Sequence, residues 1–169
     1  MELETVVAID SGAYRKIMGN FATGVTVVTT CNGGRLHGFT ANSVTGLSLE
    51  PLLLLVCVDK KAHALSELRI CQSFAVNVLA ADQKDISNLF AKSAPPDDCL
   101  RGVSYRIGEN GAPLIDGTIA HFECRLYDDL DGGDHVIFVG EVVGGAVTSP
   151  EAMPLLYFRG AYREIASVG

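Results

Sequence analysis

Apolar and polar positions along the chain fall mostly into short runs with strand period, broken by three stretches with helical spacing. Asp10 and Ser11 can cap a helix in which Tyr14, Ile17, Met18 and Phe21 follow at i, i+3, i+4 and i+7, with Gly24 expected to stop it. Val25–Thr30 is β-branched throughout and predicts a strand. Cys31–Arg35 holds Asn-Gly-Gly, a turn signal, after which a strand resumes over His37–Val44. Leu52–Val58 is continuously apolar after Pro51 and predicts a strand buried on both faces. Ala62–Ile70 reads as a short helix, and Ser73–Leu79 as a strand with Phe74, Val76 and Val78 on one side.

Asp82–Lys92 predicts a third helix with Ile86, Leu89 and Phe90 turned inward, and Ser93–Pro113, rich in Pro, Gly and Asp, predicts a loop. Ile119–Tyr127 alternates, with Ala120, Phe122, Cys124 and Leu126 facing one way; a polar turn over Asp128–Gly133 leads to strands at His135–Val143 and Leu155–Arg163. About seven strands follow one another without regular intervening helices, which excludes a doubly wound sheet and favours a mainly antiparallel barrel. No repeat or linker divides residues 1–169, so one domain is expected.

Apolar residues make up 48% and charged residues 20%, an apolar excess that suits a large core or a homodimer interface. The net charge of -7 argues against nucleic acid and anionic membranes as partners, but leaves room for a local basic pocket. Cys31, Cys57, Cys71, Cys99 and Cys124 are odd in number and form no CxxC, which fits reduced thiols in a cytoplasm. The acidic start, Met1–Asp10, lacks an apolar core like that of a signal peptide, so a soluble cytoplasmic protein is expected.

GxGxxG, GxxxxGK[ST] and GxSxG are all missing, which speaks against a Rossmann site, a P-loop and a hydrolase elbow. His37, His63, His121 and His135 are scattered; His121 and Glu123 share a strand face, but two ligands make no metal site, and none is expected.

Four segments break their apolar strands with polar residues: Phe21–Thr30, Gly38–Leu49, Val56–Lys61 and Gly133–Glu141. Taken singly, Asn42 and its threonines could satisfy a turn, Lys60-Lys61 could be a solvated strand end, and His135 could close a hairpin. Their order is more informative. FATGVTVVTT, GFTANSVTGLSLEP, LLLVCVDKKA, FAVNVL, GDHVIFVGEV and PLLYFRGAY follow one another between Tyr14 and Tyr162. In this the chain resembles the flavin reductases that serve two-component monooxygenases.

The resemblance implies a split β-barrel of the Greek-key, FMN-binding type with a few short helices. It also implies a homodimer with flavin near the subunit interface, and NADH- or NADPH-dependent reduction of free FMN or FAD for a separate oxygenase. By resemblance the flavin ring lies against Thr40, Ala41, Asn42, Ser43, Val44 and Thr45, with Cys57 beside it. Small residues, hydroxyls and free backbone N–H groups suit a flat ring with polar edges. Ser48, Asp59 and Lys61 fall to the phosphate, with Lys61 favoured over Lys60. Ser87, Asn88 and Phe90 match the segment near the flavin tail. His135 takes the nicotinamide-positioning place and Tyr157 walls the same pocket. Hydride transfer between two stacked rings needs alignment rather than a protein nucleophile, so no essential catalytic residue is expected. The chain departs from many relatives in carrying Pro51-Leu52 where they have two prolines, and its loop from Ser93 to Arg106 has no match. A permanent FMN-bound electron carrier and a non-catalytic ligand-binding barrel are the alternative readings.

Overall fold

The structure, a computed structural model, describes residues 8–92 and 102–165. In chain order its elements are α1 (Ser11–Met18), β1 (Thr23–Gly24), β2 (Thr26–Asn32), β3 (Arg35–Ala41), β4 (Val44–Leu49), β5 (Leu52–Asp59), α2 (Ala64–Cys71) and β6 (Ser73–Val78). Then come α3 (Lys84–Phe90), β7 (Tyr105–Ile107), β8 (Pro113–Ile115), β9 (Ala120–Gly132), β10 (His135–Val147), β11 (Leu156–Phe158) and β12 (Ala161–Arg163).

Seven strands form one antiparallel sheet in the order β3-β2-β6-β9-β10-β5-β4. The outermost strands of that order, β3 and β4, are consecutive in the chain and joined only by Asn42 and Ser43. Three Cα–Cα links span at most about 11 Å. The sheet must therefore curl until its two edges nearly meet, yet β3 and β4 are not paired. The result is a barrel with one split seam. Its interior joins Val28, Ala41, Leu54, Val56, Val58, Phe74, Val76, Cys124, Val136 and Phe138, with Leu65 and Leu68 of α2.

Local chemistry accounts for the elements. Asp10 caps α1, its Oδ1 accepting the Ala13 N–H at 2.7 Å. The helix stops at Gly19, short of the expected Gly24, and leaves Phe21 beyond it. Gly33 and Gly34, at φ 56° and 82°, make the turn between β2 and β3 that Asn-Gly-Gly signals. The expected strand over His37–Val44 divides at Asn42 because the chain crosses the seam there. Leu52–Val58 is not buried on both faces: Leu54, Val56 and Val58 point inward, while Leu53, Leu55 and Cys57 are half-buried. β2 and β6 are the strands with consecutive buried residues on both faces; on β6, Ala112 and Leu114 of the β7–β8 hairpin pack on Ala75.

That hairpin begins in the segment expected to be a loop, Ser93–Pro113, and runs past its end to Ile115; residues 93–101 of that segment are outside the described residues. It also inverts part of the pattern in β9. Phe122 is 38% exposed, whereas His121 and Glu123 are buried. The carboxylate of Glu123 accepts the Asn110 N–H at 2.9 Å, and Asn110 Nδ2 donates to the carbonyls of Phe74 and Cys124. Burial, and next the Arg106 charge, lower the His121 pKa against the pull of Glu123. β9 runs on to Gly132, so the turn expected over Asp128–Gly133 tightens to Gly133 and Asp134. The expected last strand is a hairpin, β11–β12, turning at Arg159 and Gly160 with φ 51° and 76°. Among the described residues no helix is long and apolar enough to cross a membrane.

Asn77, fully buried on β6, ties three strands together. Its Nδ2 donates to Val27 O at 3.1 Å and Thr29 Oγ1 at 3.0 Å, and its Oδ1 accepts the Ile115 N–H at 2.8 Å. Asn77→Ala strands these partners in the interior and is expected to cost about 2–4 kcal/mol, read as a lower midpoint in urea.

Candidate functional site

A cavity of about 450 Å³ opens at the seam of the barrel. β3 supplies one wall with Gly38–Ala41, and the crossing residues Asn42 and Ser43 continue it. The seam is pinned on both sides. Thr26 Oγ1 donates to Ala41 O at 2.7 Å, and the Cys57 N–H reaches Ser43 O at 3.3 Å while Ser43 Oγ donates to Cys57 O at 3.1 Å. The bond from Thr40 Oγ1 to Ser87 O, 2.7 Å long, holds α3 against β3. Gly38 permits this approach: a Cβ there would stand 2.9 Å from Phe90 Cε1 and 3.1 Å from Val28 O.

The opposite wall comes from the end of β5 and the turn into α2. Asp59 Oδ1 accepts the Lys61 N–H at 2.8 Å, and Asp59 O accepts the Ala62 N–H at 2.9 Å. Lys60 is turned to the β9–β10 hairpin, its N–H donating to Asp134 O at 3.0 Å and its Nζ lying 2.6 Å from Asp131 Oδ1. Lys61 lines the cavity. His135 begins β10 opposite Asp59 and faces the same space. Its Nδ1 is 2.7 Å from Asp134 Oδ1. That hydrogen bond, and then the His135 charge, hold the Asp134 carboxyl below its usual range; the bond from Lys60 does the same for Asp131.

Of the residues the sequence singles out, the cavity gathers Thr40, Ala41, Asn42, Ser43, Cys57, Asp59, Lys61, Phe90 and His135. Val44 packs against the core beside it, and Thr45 is exposed on β4. Ser48 stands farther along β4, where its Oγ accepts the Glu50 N–H at 3.1 Å. Ser87 is buried on α3, with its Oγ 2.8 Å from Tyr162 Oη, which donates to Asn88 Oδ1 at 3.1 Å. Tyr157 meets Tyr162 edge to face at 5.7 Å. Tyr162 borders a separate hollow of about 350 Å³ with Lys84 and Arg163. Ser48, Ser87, Asn88 and Tyr157 thus do not line the main cavity.

Gly38, Phe39, Ala62, His63, Ala64, Ala91 and Lys92 also line it; Gly38, Phe39 and Ala62 lie within the motif segments but have no site role there, and His63, Ala64, Ala91 and Lys92 lie outside those segments. The signals were faint: His63 lies two residues after Lys61, and Lys92 two after Phe90. Among the described residues no three His, Cys, Asp or Glu side chains converge on a metal position.

Comparison with known proteins shows the family of the chain. The model of the flavin reductase like domain matches residues 18–166. An NADH-dependent FAD reductase of Streptomyces globisporus is 43% identical over 166 residues, covering 96% of this chain and 90% of its own length. The reductase component of a flavin-dependent trigonelline monooxygenase from Acinetobacter baylyi is 45% identical over 88% of this chain. The chain spans about half the length of some curated relatives, 47% of that one and 50% of a probable flavin reductase of Rhizobium meliloti. The solved structure of a Streptomyces globisporus NADH:FAD oxidoreductase in complex with NAD and FAD fragments superposes with a TM-score of 0.89. It is 39% identical, and the match covers 99% of both chains.

The thiols separate by environment. Cys57 lines the cavity, whereas Cys124 is buried and its pKa is pushed up to about 12, by burial first and the Glu123 charge second. Mass spectrometry after iodoacetamide at mildly alkaline pH is expected to find Cys57 modified and Cys124 intact in the native protein. An exposed thiol ionises near 9.0, and Cys124 in the fold only near 12. The unfolded chain therefore gives up that proton first, and stability falls as pH rises through this window. Cys124→Ala is expected to flatten that alkaline limb in denaturation midpoints measured against pH.

Proposed function

From the premise that the chain belongs to the flavin reductase like family, we propose that it oxidises NADH or NADPH and reduces free flavin for a separate oxygenase component. The observation that carries this reading is the seam itself: small and hydroxylated residues from Thr40 to Ser43 face His135 and Lys61 across one cavity. A flavin needs a narrow slot with hydrogen-bond donors along its polar edge, and 450 Å³ suits the ring system. When bound, it supplies the acceptor for the nicotinamide's hydride. The protein's part is alignment. Thr40, Ala41, Asn42 and Ser43 hold the ring edge. Phe90 closes one end, and Cys57 and Asp59 shape the floor. Lys61 offers its charge to a phosphate. His135, steadied by Asp134, orients the nicotinamide carboxamide.

The relative named as an NADH-dependent FAD reductase supports NADH and FAD as the pair used here. Relatives named as reductase components support an oxygenase partner. A homodimer is part of the same proposal. α1 buries none of its residues, and Tyr14, Ile17 and Phe21 are each more than half exposed, as are Leu47, Leu49 and Leu52 around the β4–β5 turn. A second copy would cover such surface.

Loss of NADH absorbance, recorded with and without added flavin, tests the activity. Oxidation is expected to rise steeply with added FAD or FMN. A protein that stays yellow through gel filtration and needs no added flavin would instead be an electron carrier. His135→Ala is expected to raise the KM for NADH about tenfold, the weight of one polar contact, with flavin affinity held. Equilibrium sedimentation is expected to give twice the chain mass of 17.9 kDa.

A further inference from the structure

His135 is the first residue of β10, and its place depends on the turn before it. That turn is Gly133 and Asp134, with Gly133 at φ 81°. β5 ends at Asp59, opposite His135, so the turn overhangs the last rung of the β5–β10 ladder. A carboxylate can only accept, so the His135 Nδ1 beside Asp134 Oδ1 carries the proton, and Nε2 is the nitrogen left for a ligand. Where Nε2 points therefore follows from where the turn holds Asp134 and His135.

A single oxygen braces that turn. Asp131 Oδ1 accepts the Gly133 N–H at 3.2 Å and lies 2.6 Å from Lys60 Nζ. Lys60 in turn donates its backbone N–H to Asp134 O at 3.0 Å. The turn is thus held from two strands, by Asp131 of β9 and by Lys60 just past the end of β5. The Lys60 bond first, and then the Gly133 N–H, keep the Asp131 carboxyl below its usual range, so the brace is charged at neutral pH. A second ion pair, Arg69 to Asp129 at 2.6 Å, ties β9 to α2 farther from the turn. Asp129 pairs with Phe138, whereas Asp131 pairs with Val136, next to His135.

We propose that Asp131 and Lys60 are positioning residues that set the aim of the His135 imidazole at a nicotinamide nucleotide in the cavity. This rests on reading the cavity as the site of a flavin reductase. Neither residue lines the cavity, so both act through the turn and not on the ligand. Their side chains are 78% and 43% exposed, and an ion pair so exposed adds little to the stability of a fold. Losing it therefore leaves the barrel intact and frees the turn alone.

The test is a double-mutant cycle on the KM for NADH. Asp131→Ala removes the ion pair and the Gly133 bond together and is expected to raise KM about fivefold, with kcat and the flavin dissociation constant held within about twofold. Lys60→Ala is expected to raise KM about threefold, and Lys60→Arg to restore it. On the His135→Ala background, Asp131→Ala is expected to add less than about twofold, because a residue that acts through His135 has nothing left to position. Arg69→Ala, which loosens the same strand away from the turn, is expected to leave KM within about twofold. An unchanged KM in Asp131→Ala, a full fivefold loss added to that of His135→Ala, or an equal loss in Arg69→Ala overturns the proposal. If the wild type oxidises no NADH, the reductase reading falls, and the same cycle is read in dissociation constants for NAD+ from equilibrium dialysis. The expected pattern in those constants leaves the positioning role standing, whereas absence of NAD+ binding overturns it as well.

Discussion

Two residues joining opposite edges of a seven-stranded sheet are the constraint on which this molecule is built. Asn42 and Ser43 bring β3 and β4 together although five strands separate them in the sheet. No flat or merely twisted sheet satisfies that connection, so the barrel follows from it. The seam stays unpaired, and backbone at an unpaired seam is available to a ligand in a way that ladder backbone is not. The pins at Thr26–Ala41 and Ser43–Cys57 fix the width of the opening. The same constraint thus closes the core and makes the cavity.

Charges around the cavity divide into those that build and those that face a ligand. Lys60 and Lys61 are adjacent, yet Lys60 binds the β9–β10 hairpin while Lys61 lines the cavity. Asp134 is paired with His135, and Asp59 shapes the turn. The acidic groups near the site are therefore largely engaged by the fold, and the basic ones less so. An acidic protein can in this way present a basic recess, because net charge is a sum over the surface and ligand binding is local.

The sequence showed the architecture better than the lining of the site. Alternation, Asn-Gly-Gly and the Asp10 cap are local signals, and the structure has strands, turn and helix start where they predict them. Burial on the outer faces was not legible. The Leu52–Val58 run looks doubly buried and is not, while His121 and Glu123 look like surface and lie under the β7–β8 hairpin that precedes them in the chain. Which neighbour covers a face is decided by tertiary packing, which a strand's own period does not encode. The cavity shows the same limit. Thr40 to Ser43 stand out because polar residues interrupt apolar strands, whereas His63 and Lys92 sit at helix ends where polar residues are ordinary.

The order of strands also bears on how the protein is made. β9 and β10 sit between β6 and β5 in the sheet but come late in the chain. Without them, the remaining strands form two separate pieces, β3-β2-β6 and β5-β4, tethered by Asn42 and Ser43 and by α2. A nascent chain on the ribosome can form its early hairpins but cannot close the wall until residues 120–147 have emerged. Since His135 arrives on that same hairpin, completion of the barrel and assembly of the ligand pocket are one event. A half-made chain therefore has no pocket in which to trap a nucleotide early.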